Sequence, residues 1–209
     1  EQLITERTGR AGIDQWGWKE PRTTVLLDFW HSLLPEMKVL VVYRHYAQVA
    51  DSMLRRDLNR ERNRENWPRK ARRLRARIRW QYSFGNIPLA QTYLRVWNHY
   101  NRVALDFARA HPAQTLVLHV DDVLANGDAV IAYMNQAWGY HLQAAATRAV
   151  YDPKLMQSDA LPVRAAWSAL LAPACHITYR ELAGLRRESL LEITSPPDPL
   201  PMHGEGESR

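Results

Sequence analysis

Lys19, Arg44 and Ser52 have the types and positions that suit the binding of an anion. Lys19 follows a short apolar run, Arg44 comes just after a second one, and Ser52 lies eight residues beyond Arg44. Lysine and arginine offer charged N–H donors to phosphate or sulfate, and a serine hydroxyl can add another donor. We therefore expect these side chains to bind a phosphate or sulfate group if the fold brings them together.

A strand–helix–strand unit is predicted to position them. Residues 16–18 (WGW) indicate the end of a first strand, and Pro21 suits the first turn of a helix, where its missing N–H is no loss. Apolar residues then recur with helical spacing over 25–34, and Pro35 ends the helix. Residues 39–42 (VLVV) form an unbroken apolar run, which is typical of a buried strand in a parallel sheet.

This order of elements predicts an anion site at one rim of the sheet. Ligands of open α/β sheets lie beyond the carboxyl ends of the strands, where we expect Lys19 and Arg44 to meet. Helices that begin at the same rim would add unpaired N–H groups and partial positive charge. The alternative interpretation is that both cations are surface charges and Ser52 is a packed small residue.

The same segments, in the same order, resemble the sulfotransferase superfamily that uses 3′-phosphoadenylyl sulfate (PAPS). The likeness is carried by residues 18–22 (WKEPR), 38–44 (KVLVVYR), Ser52, 115–126 (TLVLHVDDVLAN) and 151–155 (YDPKL). It covers roughly residues 13–185. The implied fold class is α/β: a three-layer P-loop-like sulfotransferase fold, with a short parallel sheet flanked by helices and its N-terminal strand and loop absent.

The resemblance also implies roles for individual residues. Arg44 and Ser52 match the family's grip on the 3′-phosphate, although Tyr46 stands where the family has proline. Lys19 matches the lysine near the phosphosulfate, where it would stabilise the bridging and leaving oxygens, and Arg22 is assigned to the same PAPS site.

The base that takes the acceptor's proton is left open. Glu20 is the nearest carboxylate to Lys19, and its alternative role is to hold Arg22 or a helix N-terminus. His31 and His45 are weaker candidates, because a lone histidine is more often structural or on the surface. The co-substrate implied is PAPS, with 3′,5′-ADP as product and no metal. The implied acceptor is a carbohydrate or another hydroxylated molecule.

The phosphate-cradling loop that opens the sulfotransferase fold has no match in this sequence. We expect that the sequence lacks its N-terminal portion; the alternative is a degenerate, non-catalytic relative. The rival function is a non-catalytic polyanion-binding module with a vestigial nucleotide cleft. A P-loop kinase or NTPase is disfavoured, because no G-x-x-x-x-G-K-S/T motif occurs.

Positive charge is concentrated in one segment, which we call the basic arm (residues 55–80). Within it, residues 55–79 contain twelve Lys/Arg and three acids, a net charge of +9, whereas the whole chain carries +6 and the remainder therefore −3. The arm fits either a solvated helical face or a substrate surface for an anionic acceptor, such as an acidic or already sulfated glycan. Binding to nucleic acid is not expected, since no recognition motif accompanies the charge.

Length and composition predict one globular domain, residues 1–192, followed by a disordered Pro/Gly-rich tail, 193–209. A single cysteine, Cys175, forms no internal disulfide and favours a reducing, cytoplasmic location. No apolar run is long enough to span a bilayer. Further helices are predicted at 45–58, 88–110, 128–138, 142–150, 162–171 and 177–192. A further strand is predicted at 115–120. The acids that follow it, Asp121 and Asp122, are expected to cap a turn or to pair with arginine.

Overall fold

The computed structural model describes three stretches of the chain, residues 15–62, 87–143 and 172–195. A 3₁₀ helix, Pro21–Leu26, leads into α1 (Leu27–Leu33), and a second short 3₁₀ helix, Pro112–Gln114, precedes the second strand. The other elements, in chain order, are β1 (Val39–Tyr43), α2 (Tyr46–Arg62), α3 (Ile87–Ala110), β2 (Thr115–His119), α4 (Val120–Trp138) and α5 (Pro173–Thr194).

The two strands pair in parallel, so the fold is broadly α/β, as predicted. The register runs from Val39 opposite Thr115 to Tyr43 opposite His119. Every residue of β2 is buried, both the apolar residues 116–118 and the polar Thr115 and His119 at its ends. Because the pairing is in step, both strands end at the same level.

The core lies where α2, α3 and α5 meet the sheet. Its fully buried side chains are Leu54, Leu94, Leu105, Leu116, Val117, Leu118, Cys175 and Leu182. The backbone N–H of Val117 donates to the Ser189 hydroxyl of α5 at 3.0 Å. This backbone N–H would otherwise be free to pair with a third strand. Helix α5 therefore covers that part of β2.

The prediction of a strand at residues 16–18 is wrong. These residues have irregular backbone, and the two indoles stack on each other with ring centroids 5.3 Å apart. The Trp18 Nε1–H donates to the Thr23 hydroxyl at 2.9 Å. Lys19 therefore does not follow a strand, and the described sheet contains only β1 and β2.

The acids after β2 do what the sequence predicted. Asp122 accepts the His119 backbone N–H at 2.9 Å and completes a capping box at the start of α4. The helix predicted at 128–138 begins earlier, at Val120, and Asn126, with φ −126° and ψ 27°, kinks it. Both features fix where α4 begins and how it leaves the sheet.

Several predictions fall outside the described residues. These are most of the basic arm, nearly all of the helix expected at 142–150, the 151–155 segment, the helix expected at 162–171 and the tail. Among the described helices, none combines the length and the apolar character needed to cross a membrane.

Candidate functional site

Two helices begin where the two strands end. Helix α2 starts at Tyr46, close behind Tyr43, and α4 starts at Val120, directly after His119. Each helix N-terminus carries unpaired backbone N–H groups and a partial positive charge. At α4 this positive end is met by the carboxylates of Asp121 and Asp122 in the first turn. The second strand that ends here is β2 rather than the strand predicted at residues 16–18.

Arg44 lies at this end of the sheet, and one nitrogen of its guanidinium group makes no hydrogen bond within the described residues. The Arg44 carbonyl accepts the indole N–H of Trp97 at 3.2 Å, which ties the turn after β1 to helix α3. Trp97 is only 5% exposed, so this contact is held by the core. The Nε of Arg44 is buried and has no hydrogen-bond partner in the described part of the chain. A buried charged donor without a partner is costly, and an anion would remove that cost.

His119 faces Tyr43 across the sheet. The two rings meet edge to face with centroids 5.2 Å apart. His119 Nδ1 accepts the Asp121 backbone N–H at 3.3 Å and lies 3.2 Å from an Asp121 carboxylate oxygen. Its other nitrogen, Nε2, is buried and lacks a partner among the described residues.

His45 closes the same end of the sheet from the start of α2. Its Nδ1 accepts the Ala47 backbone N–H at 3.2 Å, and its ring stacks on Tyr46 and meets the edge of Tyr179. Burial lowers the pKa of His45, and electrostatic interaction with the neighbouring His119 and His176 rings lowers it further. We call Tyr43, Arg44, His45, His119 and Tyr179 the strand-end cluster.

An ion pair between the buried Asp122 and the half-buried Arg186 links the start of α4, beside the cluster, to α5. Arg186 Nε donates to an Asp122 oxygen at 2.6 Å, and a second guanidinium nitrogen binds the other oxygen. Burial alone would raise the pKa of Asp122, but the hydrogen bonds from Arg186 and from the His119 backbone outweigh it and lower that pKa. Burial also raises the pKa of Tyr43 to about 12, with a smaller contribution from Tyr179. Tyr43 is therefore a neutral hydrogen-bonding group at ordinary pH.

The residues predicted near the phosphosulfate lie in the exposed segment before α1. Lys19 is exposed. Glu20 accepts both the backbone N–H and the Nε–H of Arg22, at 3.2 and 3.0 Å, and caps the 3₁₀ helix. The hydrogen bonds from Arg22 lower the pKa of Glu20. This is the alternative role predicted for Glu20, and it makes the carboxylate a weaker proton acceptor.

Ser52 and Asp51 are neighbours on α2 with opposite environments. Ser52 is exposed and so is open to a ligand. Asp51 is buried, one of its oxygens has no hydrogen-bond partner among the described residues, and burial raises its pKa to about 6. Asp51 was not predicted as a site residue. Its burial depends on the packing of α2 against α3, which the sequence alone does not show.

A row of four aromatic rings, three exposed and one half-buried, lies next to Lys19 in the chain. It runs from Trp16 to Trp18 (5.3 Å), from Trp18 to Trp30 (5.2 Å) and from Trp30 to Phe29 (5.8 Å). We call Trp16, Trp18, Phe29 and Trp30 the aromatic row. Trp16, Trp18 and Phe29 are 44%, 42% and 55% exposed.

Sequence reasoning missed His119, Trp97 and Arg186 as parts of the site. His119 had a usable signal, because it ends an apolar run at the position equivalent to Tyr43 in β1. Trp97 and Arg186 had none, since a tryptophan and an arginine on amphipathic helices are ordinary core and surface residues.

Comparison of the chain with protein-family models, with curated proteins and with solved structures gives no match in any of the three. Within residues 15–62, 87–143 and 172–195, no group of three or more His, Cys, Asp or Glu side chains could hold a metal ion.

Proposed function

We propose that this chain is a sulfotransferase that moves a sulfuryl group from PAPS to a hydroxyl, or an amine, of an acceptor such as a carbohydrate. The observation that carries the proposal is Arg44. Its Nε is buried and has no hydrogen-bond partner within the described stretches, directly after a parallel strand and at the end of the sheet where two helices begin. An anionic nucleotide is the kind of ligand that such a rim favours.

We also propose that β1 and β2 belong to the three-layer, P-loop-like sulfotransferase fold. The support is the parallel pairing and the helices that begin at the carboxyl ends of both strands. The order of segments in the sequence, from residues 18–22 to Ser52, is the other support.

In the proposed reaction the acceptor oxygen attacks sulfur in line, as the bond between sulfur and the bridging phosphate oxygen breaks. The products are the sulfated acceptor and 3′,5′-ADP, and the acceptor's proton passes to a base. Like phosphoryl transfer, this chemistry depends on positioning and on cations at the leaving oxygens. Arg44 and Ser52 hold the 3′-phosphate, and Lys19 and Arg22 stabilise the phosphosulfate.

Isothermal titration of the chain with 3′,5′-ADP tests the proposal. Arg44→Ala should weaken binding by roughly 10- to 100-fold, because a charge-assisted hydrogen bond contributes about 1.5–3 kcal/mol. The control is Arg95→Ala, which removes an exposed arginine from α3 and should leave the affinity unchanged. Equal affinity of the Arg44→Ala variant and the unmodified chain would refute the assignment.

The polyanion-binding module remains the second candidate, because the basic arm carries +9 in a chain of +6. It predicts no saturable binding of 3′,5′-ADP, together with binding of heparin or DNA that falls steeply as salt rises. The same titration, repeated with heparin at low and high salt, separates the two functions.

A further inference from the structure

A histidine precedes each of the two helices that begin at the carboxyl end of the sheet. Helix α2 begins after His45, and α4 begins after His119. His45 Nδ1 accepts the backbone N–H of Ala47 at 3.2 Å, and His119 Nδ1 accepts that of Asp121 at 3.3 Å. Each ring therefore caps the helix that follows it, and we call His45 and His119 the capping histidines.

The caps fix the tautomer of both rings. A neutral imidazole has one N–H donor and one acceptor nitrogen, so a ring that accepts a hydrogen bond at Nδ1 carries its proton on Nε2. The two nitrogens lie on nearly opposite sides of the ring, so each Nε2–H points away from the helix that its ring caps. The other tautomer of His119, with Nδ1–H donating to the Asp121 carboxylate 3.2 Å away, would give up the cap.

The Nε2–H of His119 is a buried donor without an acceptor. His119 is 9% exposed, and its Nε2 has no hydrogen-bond partner within the described stretches. Buried donors in folded proteins are almost always paired, because an unpaired one has lost its water without a replacement. A ligand that accepts a hydrogen bond would supply the missing partner.

The capping histidines lie close together. The His119 ring meets the Tyr43 ring with centroids 5.2 Å apart, and Tyr43 meets Tyr179 at 5.7 Å. Tyr179 in turn meets His45 at 4.8 Å, and His119 acts electrostatically on His45. Arg44, next to His45 in the chain, adds a second buried nitrogen without a partner among the described residues, its Nε.

This set of donors favours an oxyanion. A cation would be repelled by the N–H groups, and a neutral carbonyl would leave the positive charge of Arg44 unmatched. Phosphate or sulfate offers several acceptor oxygens together with negative charge. The nearby acids leave room for it, because Asp122 is paired with Arg186 and the Asp121 side chain is 73% exposed on the Nδ1 side of the His119 ring.

We propose that His119, together with His45, donates through Nε2–H to the oxygens of a phosphate or sulfate group bound at the carboxyl end of the sheet. The binding of an anion is argued from these donors alone. That the anion is the 3′-phosphate assigned to Arg44 rests on the proposed function.

The test separates the two nitrogens of His119. His119→Asn keeps an atom that can cap α4 and lacks the Nε2–H donor, whereas His119→Gln keeps an N–H near the Nε2 position and loses the cap. In titrations with inorganic phosphate and 3′,5′-ADP, His119→Asn should bind roughly tenfold more weakly than the unmodified chain, and His119→Gln should keep most of the affinity. In urea, His119→Asn should be the more stable of the two variants. A purely structural histidine would make the less stable variant the weaker binder.

The control is His99→Asn, which changes an exposed histidine of α3 and should alter neither affinity nor stability. Proton–nitrogen correlation spectra of the histidine rings check the tautomers directly. They should show protonated Nε2 in His45 and His119, and the His119 Nε2 resonance should move when phosphate is added.

Three results would overturn the histidine site: neither probe binds the unmodified chain, His119→Asn binds as the unmodified chain does, or the spectra show an unprotonated Nε2 in His119. The two probes keep this proposal apart from the proposed function. Phosphate binding that depends on His119, with no gain in affinity for 3′,5′-ADP, leaves the site standing and removes the sulfotransferase assignment. Binding of 3′,5′-ADP that does not depend on His119 removes only the histidine site.

Discussion

The strand-end cluster and the aromatic row are built in opposite ways. The cluster combines polar groups with burial: Arg44 and His119 each keep a nitrogen with no partner among the described residues. The row combines apolar rings with exposure, and the Trp18 indole N–H donates to the Thr23 hydroxyl. Buried polar atoms without hydrogen-bond partners and apolar side chains exposed to water are both common features of binding surfaces.

This difference indicates which contacts in each region stabilise the fold. At the cluster, the ion pair of Asp122 with Arg186 and the bond from Trp97 to Arg44 are contacts of the folded core. At the row, the Glu20–Arg22 pair is exposed and joins residues two apart in the chain. Equivalent substitutions in the two regions should therefore differ in their effects on stability.

The largest effect is expected for Asp122→Asn. It removes the charge that balances Arg186 and weakens the capping box of α4. Breaking a buried ion pair costs about 3–5 kcal/mol, and the value here should be near the lower end because Arg186 keeps contact with solvent. The measurement is urea denaturation at neutral pH.

The matched control is Glu20→Gln in the exposed segment. It also removes one carboxylate from an arginine pair, but both side chains face water, so the denaturation midpoint should hardly move. Equal losses for Glu20→Gln and Asp122→Asn would contradict the distinction between the two regions.

Asp51→Asn should change how stability depends on pH. Burial raises the pKa of Asp51 from 3.8 to about 6, so the native state holds its proton more tightly than the unfolded chain does. Stability from this group is therefore complete below pH 3.8 and is lost as the pH rises to about 6, by roughly 2–3 kcal/mol. Asp51→Asn should be more stable than the unmodified chain above that range and should match it below.

Denaturation at a series of pH values measures this difference. The comparison variant is Asp28→Asn, which changes an exposed acid of α1 and should leave the pH profile unaltered. A profile of Asp51→Asn that runs parallel to that of the unmodified chain would show that Asp51 titrates as an exposed acid does.

A smaller effect is expected for Trp97→Phe. It removes the hydrogen bond to the Arg44 carbonyl and part of a buried ring, at a cost of about 2 kcal/mol. Because the turn that carries Arg44 is loosened, the affinity for 3′,5′-ADP should also fall several-fold. Trp18→Phe, which loses an exposed indole hydrogen bond, should cost less than about 0.5 kcal/mol and leave that affinity unchanged.

Regular elements with a clear apolar pattern were predictable from the sequence. Residues 39–42 and 115–120 were predicted as strands and form β1 and β2, and the helices predicted at 45–58, 88–110 and 177–192 form α2, α3 and α5. The capping and pairing of Asp122 were predicted as well, because an acid just after a strand is in place for the helix that follows.

The segment at residues 16–18 was mispredicted because an apolar run of three residues does not distinguish a buried strand from a surface group of rings. Here the tryptophans cover part of their apolar surface by packing against each other and against Trp30. The buried nitrogens of Arg44 and His119 could not be predicted either. They depend on how α3 and α5 close over the strand ends, and local spacing carries no information on that packing.

The most direct test of the central claim compares two nucleotides on two proteins. The nucleotides 3′,5′-ADP and 5′-AMP differ by the 3′-phosphate that Arg44 is proposed to hold. The unmodified chain should prefer 3′,5′-ADP by roughly tenfold or more, and Arg44→Ala should bind both nucleotides equally. No preference in the unmodified chain, or a preference that survives in Arg44→Ala, would contradict an anion site at the carboxyl end of the sheet.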